Sequence, residues 1–320
     1  MEIFVTIALF VLGIVLLVKG GDFFVDAASW MAEVSGIPKL IIGATIVSIA
    51  TTLPEMLVSV MAATQGKVDM SIGNAVGSVT ANIGLIMAIA LIFMPGVISR
   101  KEYFSKALLM LSAAVLIVIC GFFGQVNGTF SVMLIIIFTA FFSDSIVMAK
   151  KNMDENSTKE KDPSLTGKKT VIINIIKFIA GAAGIIWGSD LLVDNGAALA
   201  RLLGVSERII GVTLVAIGTS LPELVTTLTA ISKKQSALSV GNILGANIMD
   251  LSLIMPMSAI ISGQDLPVSK IGATIDLPAC LLVGLIAVVP AMIKEKFSRW
   301  QGFVLLAVYA AYVIITCFVV

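Results

Sequence analysis

A thirteen-residue phrase occurs twice in this chain, as Gly43-Ala-Thr-Ile-Val-Ser-Ile-Ala-Thr-Thr-Leu-Pro-Glu55 and as Gly211-Val-Thr-Leu-Val-Ala-Ile-Gly-Thr-Ser-Leu-Pro-Glu223. Eight of the thirteen positions are identical. Each copy lies inside an apolar run long enough to cross a bilayer, and each carries hydroxyls, a proline and an acid near its middle. An acid at that depth costs roughly 2.5–3.5 kcal/mol on insertion scales, so it is a functional hypothesis by default. Two buried acids beside helix-breaking prolines, in corresponding halves, point to a cation site at the membrane midplane.

The duplication extends well beyond the phrase. A constant offset of 168 pairs Gly13 with Gly181, Asp22 with Asp190, Asp26 with Asp194 and Gly36 with Gly204. It also pairs Pro54 with Pro222, Glu55 with Glu223, Asn74 with Asn242 and Gly77 with Gly245, without a gap. Apolar runs recur through the chain, with 58% hydrophobic and 13% charged residues. A soluble domain has about half and about a quarter. The class is therefore an all-α polytopic membrane protein.

Ten spans are expected, at 3–19, 39–64, 71–94, 105–123, 129–149, 171–187, 207–231, 239–262, 271–293 and 300–319. The first and sixth can continue through the amphipathic stretches near 22–36 and 190–204. Residues 1–149 form one five-helix repeat, 150–170 a polar linker and 171–320 a second repeat. An odd number of spans per half makes the halves cross in opposite senses, an inverted repeat with broken helices 2 and 7. Orientation follows from Lys and Arg: with the N-terminus on one side, the loops opposite carry sixteen and the near loops four. The linker is then cytoplasmic and both termini lie outside. The first helix lacks a basic leader and a cleavage site, so it reads as a retained span.

Other classes drop out. Net charge is +1, so nothing points to nucleic acid. Histidine is absent, which removes the commonest zinc ligand and proton shuttle. Cys120, Cys280 and Cys317 are scattered through apolar runs as small hydrophobes. An intramembrane hydrolase would need an Asp pair or a nucleophile with its base, whereas here both acids sit on prolyl kinks. No enzyme activity and no resident cofactor are expected.

The phrase itself suggests the ligand chemistry. Pro54 has no N–H for the Ala50 carbonyl, and Pro222 none for that of Gly218. These carbonyls lie beside Thr51, Thr52 and Glu55, and beside Thr219, Ser220 and Glu223. Thr51 with Glu55, and Thr219 with Glu223, are four apart and share a helix face. Carbonyl, hydroxyl and carboxylate oxygens are the ligands calcium takes, and sodium accepts them too. The following spans add Asn74, Ser78 and Asn82 at i, i+4, i+8, matched by Asn242, Ala246 and Asp250. Gly73 and Gly77, like Gly241 and Gly245, permit close helix approach. Asn74 and Asn242 also suit plain interhelical hydrogen bonding. Asp22, Asp26, Asp190 and Asp194 fall near span ends and read as interfacial.

These motifs resemble the two alpha-repeats of the sodium/calcium exchanger family, within the cation/calcium antiporter superfamily. The carrying residues are Gly43 to Glu55 with Ser71 to Gly84, and Gly211 to Glu223 with Ser239 to Asp250. The resemblance spans the whole architecture and is nearest to short prokaryotic members. It implies an antiporter exchanging Ca2+ for several Na+ by alternating access, in the plasma membrane, working as a monomer. By resemblance, Glu55 and Glu223 are carboxylates shared by both ions, and the Thr51 and Thr219 carbonyls complete the calcium shell. An outer sodium site would be the Ala216 carbonyl, Thr219, Ser220, Ser78 and Glu223. An inner one would be the Ser48 carbonyl, Thr51, Thr52 and Glu55, with Asn82 and Asp250 flanking the middle. Ala246 stands where the family usually has serine, Ala50 replaces a glycine, Thr52 a serine and Ser48 an alanine. Asp250 and the hydroxyl missing at Ala246 motivate an alternative, a proton-coupled or K+-assisted calcium antiporter.

Overall fold

The structure, a computed structural model, describes residues 2–156, 163–203 and 218–318. Nearly all of them are helical. Apart from the single turn Pro163–Thr166, the helices in chain order are α1 (Glu2–Ser35), α2 (Lys39–Thr64), α3 (Met70–Phe93), α4 (Arg100–Phe123), α5 (Gly128–Asn156), α6 (Lys168–Leu202), α7 (Leu221–Ser232), α8 (Ser236–Ser262), α9 (Gly272–Lys294) and α10 (Arg299–Phe318). Among the described residues, nine are long and apolar enough to cross a membrane. The tenth expected span, 207–231, is described only from residue 218 onward.

Span edges differ from the sequence reading mainly by extension. α1 and α6 do run on through the amphipathic stretches. α5 continues to Asn156 and α6 starts at Lys168, so helix reaches into both ends of the expected linker. Two of the sixteen cations expected in the loops opposite the N-terminus, Lys19 and Lys106, lie inside α1 and α4. The loop imbalance is thereby reduced but keeps its sense.

α1 and α6 pack along each other through glycines. A Cβ at Gly13 would sit 3.0 Å from the Gly188 carbonyl, and one at Gly20 would sit 2.9 Å from the Gly181 carbonyl. The offset makes Gly181 the mate of Gly13, and Gly188 the mate of Gly20. The contacts are therefore reciprocal: exchanging every residue for its mate turns the Gly13–Gly188 contact into the Gly181–Gly20 contact. Rising numbers on α1 meet falling numbers on α6, so the helices are antiparallel. Only hydrogen side chains allow backbones this close, which is the small-residue mode of membrane helix packing.

A second close approach joins α2 to α8. A Cβ at Gly241 would strike the Leu40 carbonyl, and one at Gly245 the Ala44 carbonyl and the Ser48 hydroxyl. α8 is the most enclosed helix, and its buried polar residues all face protein. One apolar core lies among α3, α4, α8 and α9, and a smaller one among α1, α2, α6 and α7. The α4–α5 turn pairs with the α8–α9 turn through β1 (Gln125–Val126) and β2 (Leu266–Pro267).

The two prolines behave differently. α2 is not interrupted at Pro54; the helix from Ser48 to Thr64 contains it, and the irregularity is a π turn upstream at Gly43–Val47. In the second copy, Thr219 and Ser220 form a turn and Pro222 stands in the first turn of α7. A missing N–H costs nothing there, because the first four N–H groups of a helix have no intrahelical partner. Of three further π turns among the described residues, two begin at Asn82 in α3 and Asp250 in α8, which are repeat mates, and the third is Gly272–Asp276 at the start of α9. A single-turn π bulge often marks a functional position, and hydrophobic periodicity alone carries no sign of these.

Candidate cation-binding site

Polar side chains from α2, α3, α7 and α8 gather in the middle of the bundle. Glu55, Glu223 and Asp250 are all buried, with at most 1% of their surface exposed. Ser48, Thr51, Thr52, Ser78, Asn82 and Ser220 are buried as well. Thr219 is half-buried. Ala216 lies outside the described residues, and so does its carbonyl.

The two glutamates face each other. The charged neighbours of the Glu55 carboxyl are those of Glu223 and Asp250. The Thr51 and Thr52 hydroxyls lie beside the Glu223 carboxyl, close enough to interact but outside hydrogen-bond geometry. All six carboxyl oxygens of Glu55, Glu223 and Asp250 are without a hydrogen-bond donor. So are the hydroxyls of Thr52, Ser78 and Ser220 and the amide oxygen of Asn82. Buried polar groups are ordinarily paired, and an ionised carboxylate left bare in low dielectric costs several kcal/mol. A dense patch of bare oxygens with no donor is suited to a cation.

The donor set also bounds the kind of site. Among the described residues, no three carboxyl or thiol groups stand close enough to hold one metal ion by themselves. A cation here would need carboxylates supplemented by hydroxyl and carbonyl oxygens, as calcium and sodium allow. Asp250 neighbours both glutamates electrostatically without forming a three-acid cluster with them.

Asparagines frame the patch. Asn74 donates to the Glu55 carbonyl at 3.2 Å and to the Ser59 hydroxyl at 2.9 Å. Asn242 instead accepts the Thr51 hydroxyl at 3.2 Å through Oδ1. Asn82 donates to Asn247 Oδ1 across 3.1 Å. Sequence reasoning missed Asn247, whose repeat mate is the apolar Val79, so no doubled signal existed to find it.

A cavity lies next to this region, among the described residues. Its volume is about 140 Å³, and it is bounded by Pro54 and Val58 of α2, Ser189, Asp190 and Asp194 of α6, and Thr219 before α7. Asp190 and Asp194, expected at an interface, thus line a cavity that also touches Pro54 and Pro222 of the repeated phrase.

A profile for the family described as Sodium/calcium exchanger protein matches residues 5–147 and 173–318. Sodium/calcium exchanger MaX1 of Methanosarcina acetivorans is 29% identical over 352 residues, covering 98% of this chain and 99% of that protein. An uncharacterized membrane protein, MJ0091 of Methanocaldococcus jannaschii, is 31% identical over 303 residues, covering 94% of each. A structure of the sodium-calcium exchanger NCX_Mj soaked with Na+ and Sr2+ superposes with a TM-score of 0.80 at 28% identity, covering 97% of this chain and 98% of that one.

Proposed function

The chain belongs to the sodium/calcium exchanger family, and from that premise we propose that it exchanges Ca2+ for Na+ across the plasma membrane at a site shared by Glu55 and Glu223. The observation that carries this is the facing pair of buried carboxyls with no donor to either. Thr51, Thr52, Ser78, Thr219, Ser220 and the Ser48 and Ala216 carbonyls complete the oxygen set. Asn82 and Asp250 flank it on α3 and α8.

Competition for the same two carboxylates makes the ions alternate. An unloaded site leaves two acids in low dielectric, which disfavours movement without cargo. The reciprocal glycine contacts of α1 and α6 support two inverted halves, since a two-fold axis across antiparallel helices lies in the membrane plane. These helices pack chiefly on each other and lie at the lipid face, so they can slide as a pair against the rest. The Lys and Arg bias supports a cytoplasmic linker and outer termini, with the Asp190 cavity opening outward. One chain holds both halves of the site, which suits a monomer.

The test is calcium uptake into proteoliposomes holding the purified chain. An outward Na+ gradient is expected to drive uptake. Asp250, a buried third acid without a donor, favours a second reading in which protons or K+ assist. Uptake driven only by a proton or K+ gradient would establish that reading instead, and uptake under no gradient would reject both.

A further inference from the structure

α1 and α6 hold equivalent places in the two halves, yet only one of them is clasped. The Lys233 ammonium, in the turn after α7, lies 2.6 Å from Asp26 Oδ1 and 3.3 Å from Asp22 Oδ1 of α1. It also donates to the Asp22 carbonyl at 3.1 Å. Just above, a Cβ at Gly21 would sit 2.9 Å from Val225 Cγ1, so α1 is pressed on α7.

The mirrored place is different throughout. The mates of Asp22 and Asp26 are Asp190 and Asp194, which have no basic partner among the described residues. The mate of Lys233 is Gln65, which is exposed and uncharged. The mate of Gly21 is Ser189, which borders the cavity separating α6 from Pro54 and Val58 of α2. The turn itself is common to both halves: Gly66 has φ 75° and its mate Lys234 has φ 56°. Non-glycine residues seldom adopt that backbone, so the second half keeps the turn even with a lysine in it. A second tie holds the same turn, as Lys39 at the start of α2 donates to Gln235 at 2.8 Å.

We propose that Lys233 is a positioning residue of the transport cycle, one that holds α1 on α7 through Asp22 and Asp26 and thereby keeps α6 away from α2. Because α1 and α6 are locked together by their glycines, a tie at one end of the pair sets the separation at the other. Gln65 supplies no counterpart, so the two access states are unequal by construction. This rests on the alternating-access reading. The pair is exposed to solvent, and exposed pairs shift an equilibrium by a modest factor, which suits a tie that must break each cycle.

Accessibility of the cavity reads this directly. Val193→Cys borders it, and is to be made in a chain whose Cys120, Cys280 and Cys317 are changed to Ala. Labelling by a membrane-impermeant maleimide in proteoliposomes measures the population with α6 apart. Lys233→Gln is expected to slow labelling roughly fivefold, and Lys233→Arg to leave it near the parent rate. Gln65→Lys, which sets a cation on the side of Asp190 and Asp194, is expected to slow it too. Unchanged labelling in Lys233→Gln overturns the proposal; if that variant does not fold, Gln65→Lys decides in the same way. Calcium flux in the same vesicles separates the two ideas. Flux with unaltered labelling removes the lock alone, whereas no flux in the parent chain removes the exchange reading and leaves the labelling result to judge the lock.

Discussion

Thr51 donates its hydroxyl proton to Asn242 Oδ1 across 3.2 Å, tying α2 to α8 beside the facing glutamates. Both residues are buried, and the Asn242 Nδ2 has no acceptor. Thr51→Val would leave the whole amide unpaired, a cost of about 1–3 kcal/mol. Asn242→Ala in the Thr51→Val background is expected to add less than it does alone, since the partner is already gone. Thermal unfolding of the two single variants and the double variant in detergent measures the coupling, and simple additivity would refute it.

Glu55→Gln and Glu223→Gln should each abolish calcium transport while the protein still inserts. Each removes an uncompensated buried acid, so the ion-free protein is expected to become more stable rather than less. Calcium at 100 times its Kd stabilises a one-site protein by about 2.7 kcal/mol, and chelation removes that gain. The parent chain should therefore melt at a lower temperature after chelation, and both variants should not respond. Melting curves with and without chelator give the answer, and a calcium response retained in either variant counts against that carboxylate.

Gly245→Val would drive a side chain into the Ala44 carbonyl and the Ser48 hydroxyl, pushing α8 off α2 where the site is assembled. Overpacking of this kind typically costs about 1–3 kcal/mol. Transport should fall with it. Gly128→Ala, at the start of α5 with nothing within 4 Å, is the control and should be silent in both assays.

Lys106 is wholly buried, and its ammonium lies 3.0 Å from Asp144 on α5, whose side chain is 29% exposed. Removing one partner of a buried pair costs about 3–5 kcal/mol, because the other charge is left bare. Asp144→Asn is expected to harm stability more than Lys106→Met, since the stranded lysine has no solvent and the stranded aspartate has some. Yield and melting temperature in detergent rank the two, and the reverse order would refute this account.

How much was legible can be judged from particular residues. The glutamates and hydroxyls of the repeated phrase stood out because an acid in an apolar run violates the transfer free energy of its surroundings, and that conflict is visible without coordinates. The shared face of Thr51 and Glu55 followed from helical spacing. Pro54 and Pro222 looked equivalent in sequence, but one lies within a helix and the other begins one. The difference depends on where the preceding chain stops being helical. Asn247 carried no local signal at all, and Lys106 looked like a loop cation until α5 placed Asp144 against it.

The sequence alone determined the class, the repeat and the identities of the buried acids, because burial cost and helical period are properties of a single segment with its solvent. It also determined that Lys233 and Gln65 differ. Only tertiary structure decided that Glu55 meets Glu223, that Thr51 meets Asn242, and that α1 is clasped while α6 stands off. Those outcomes depend on how closely backbones approach at glycines far apart in the chain, and on which of two near-equivalent helix arrangements a few surface charges favour.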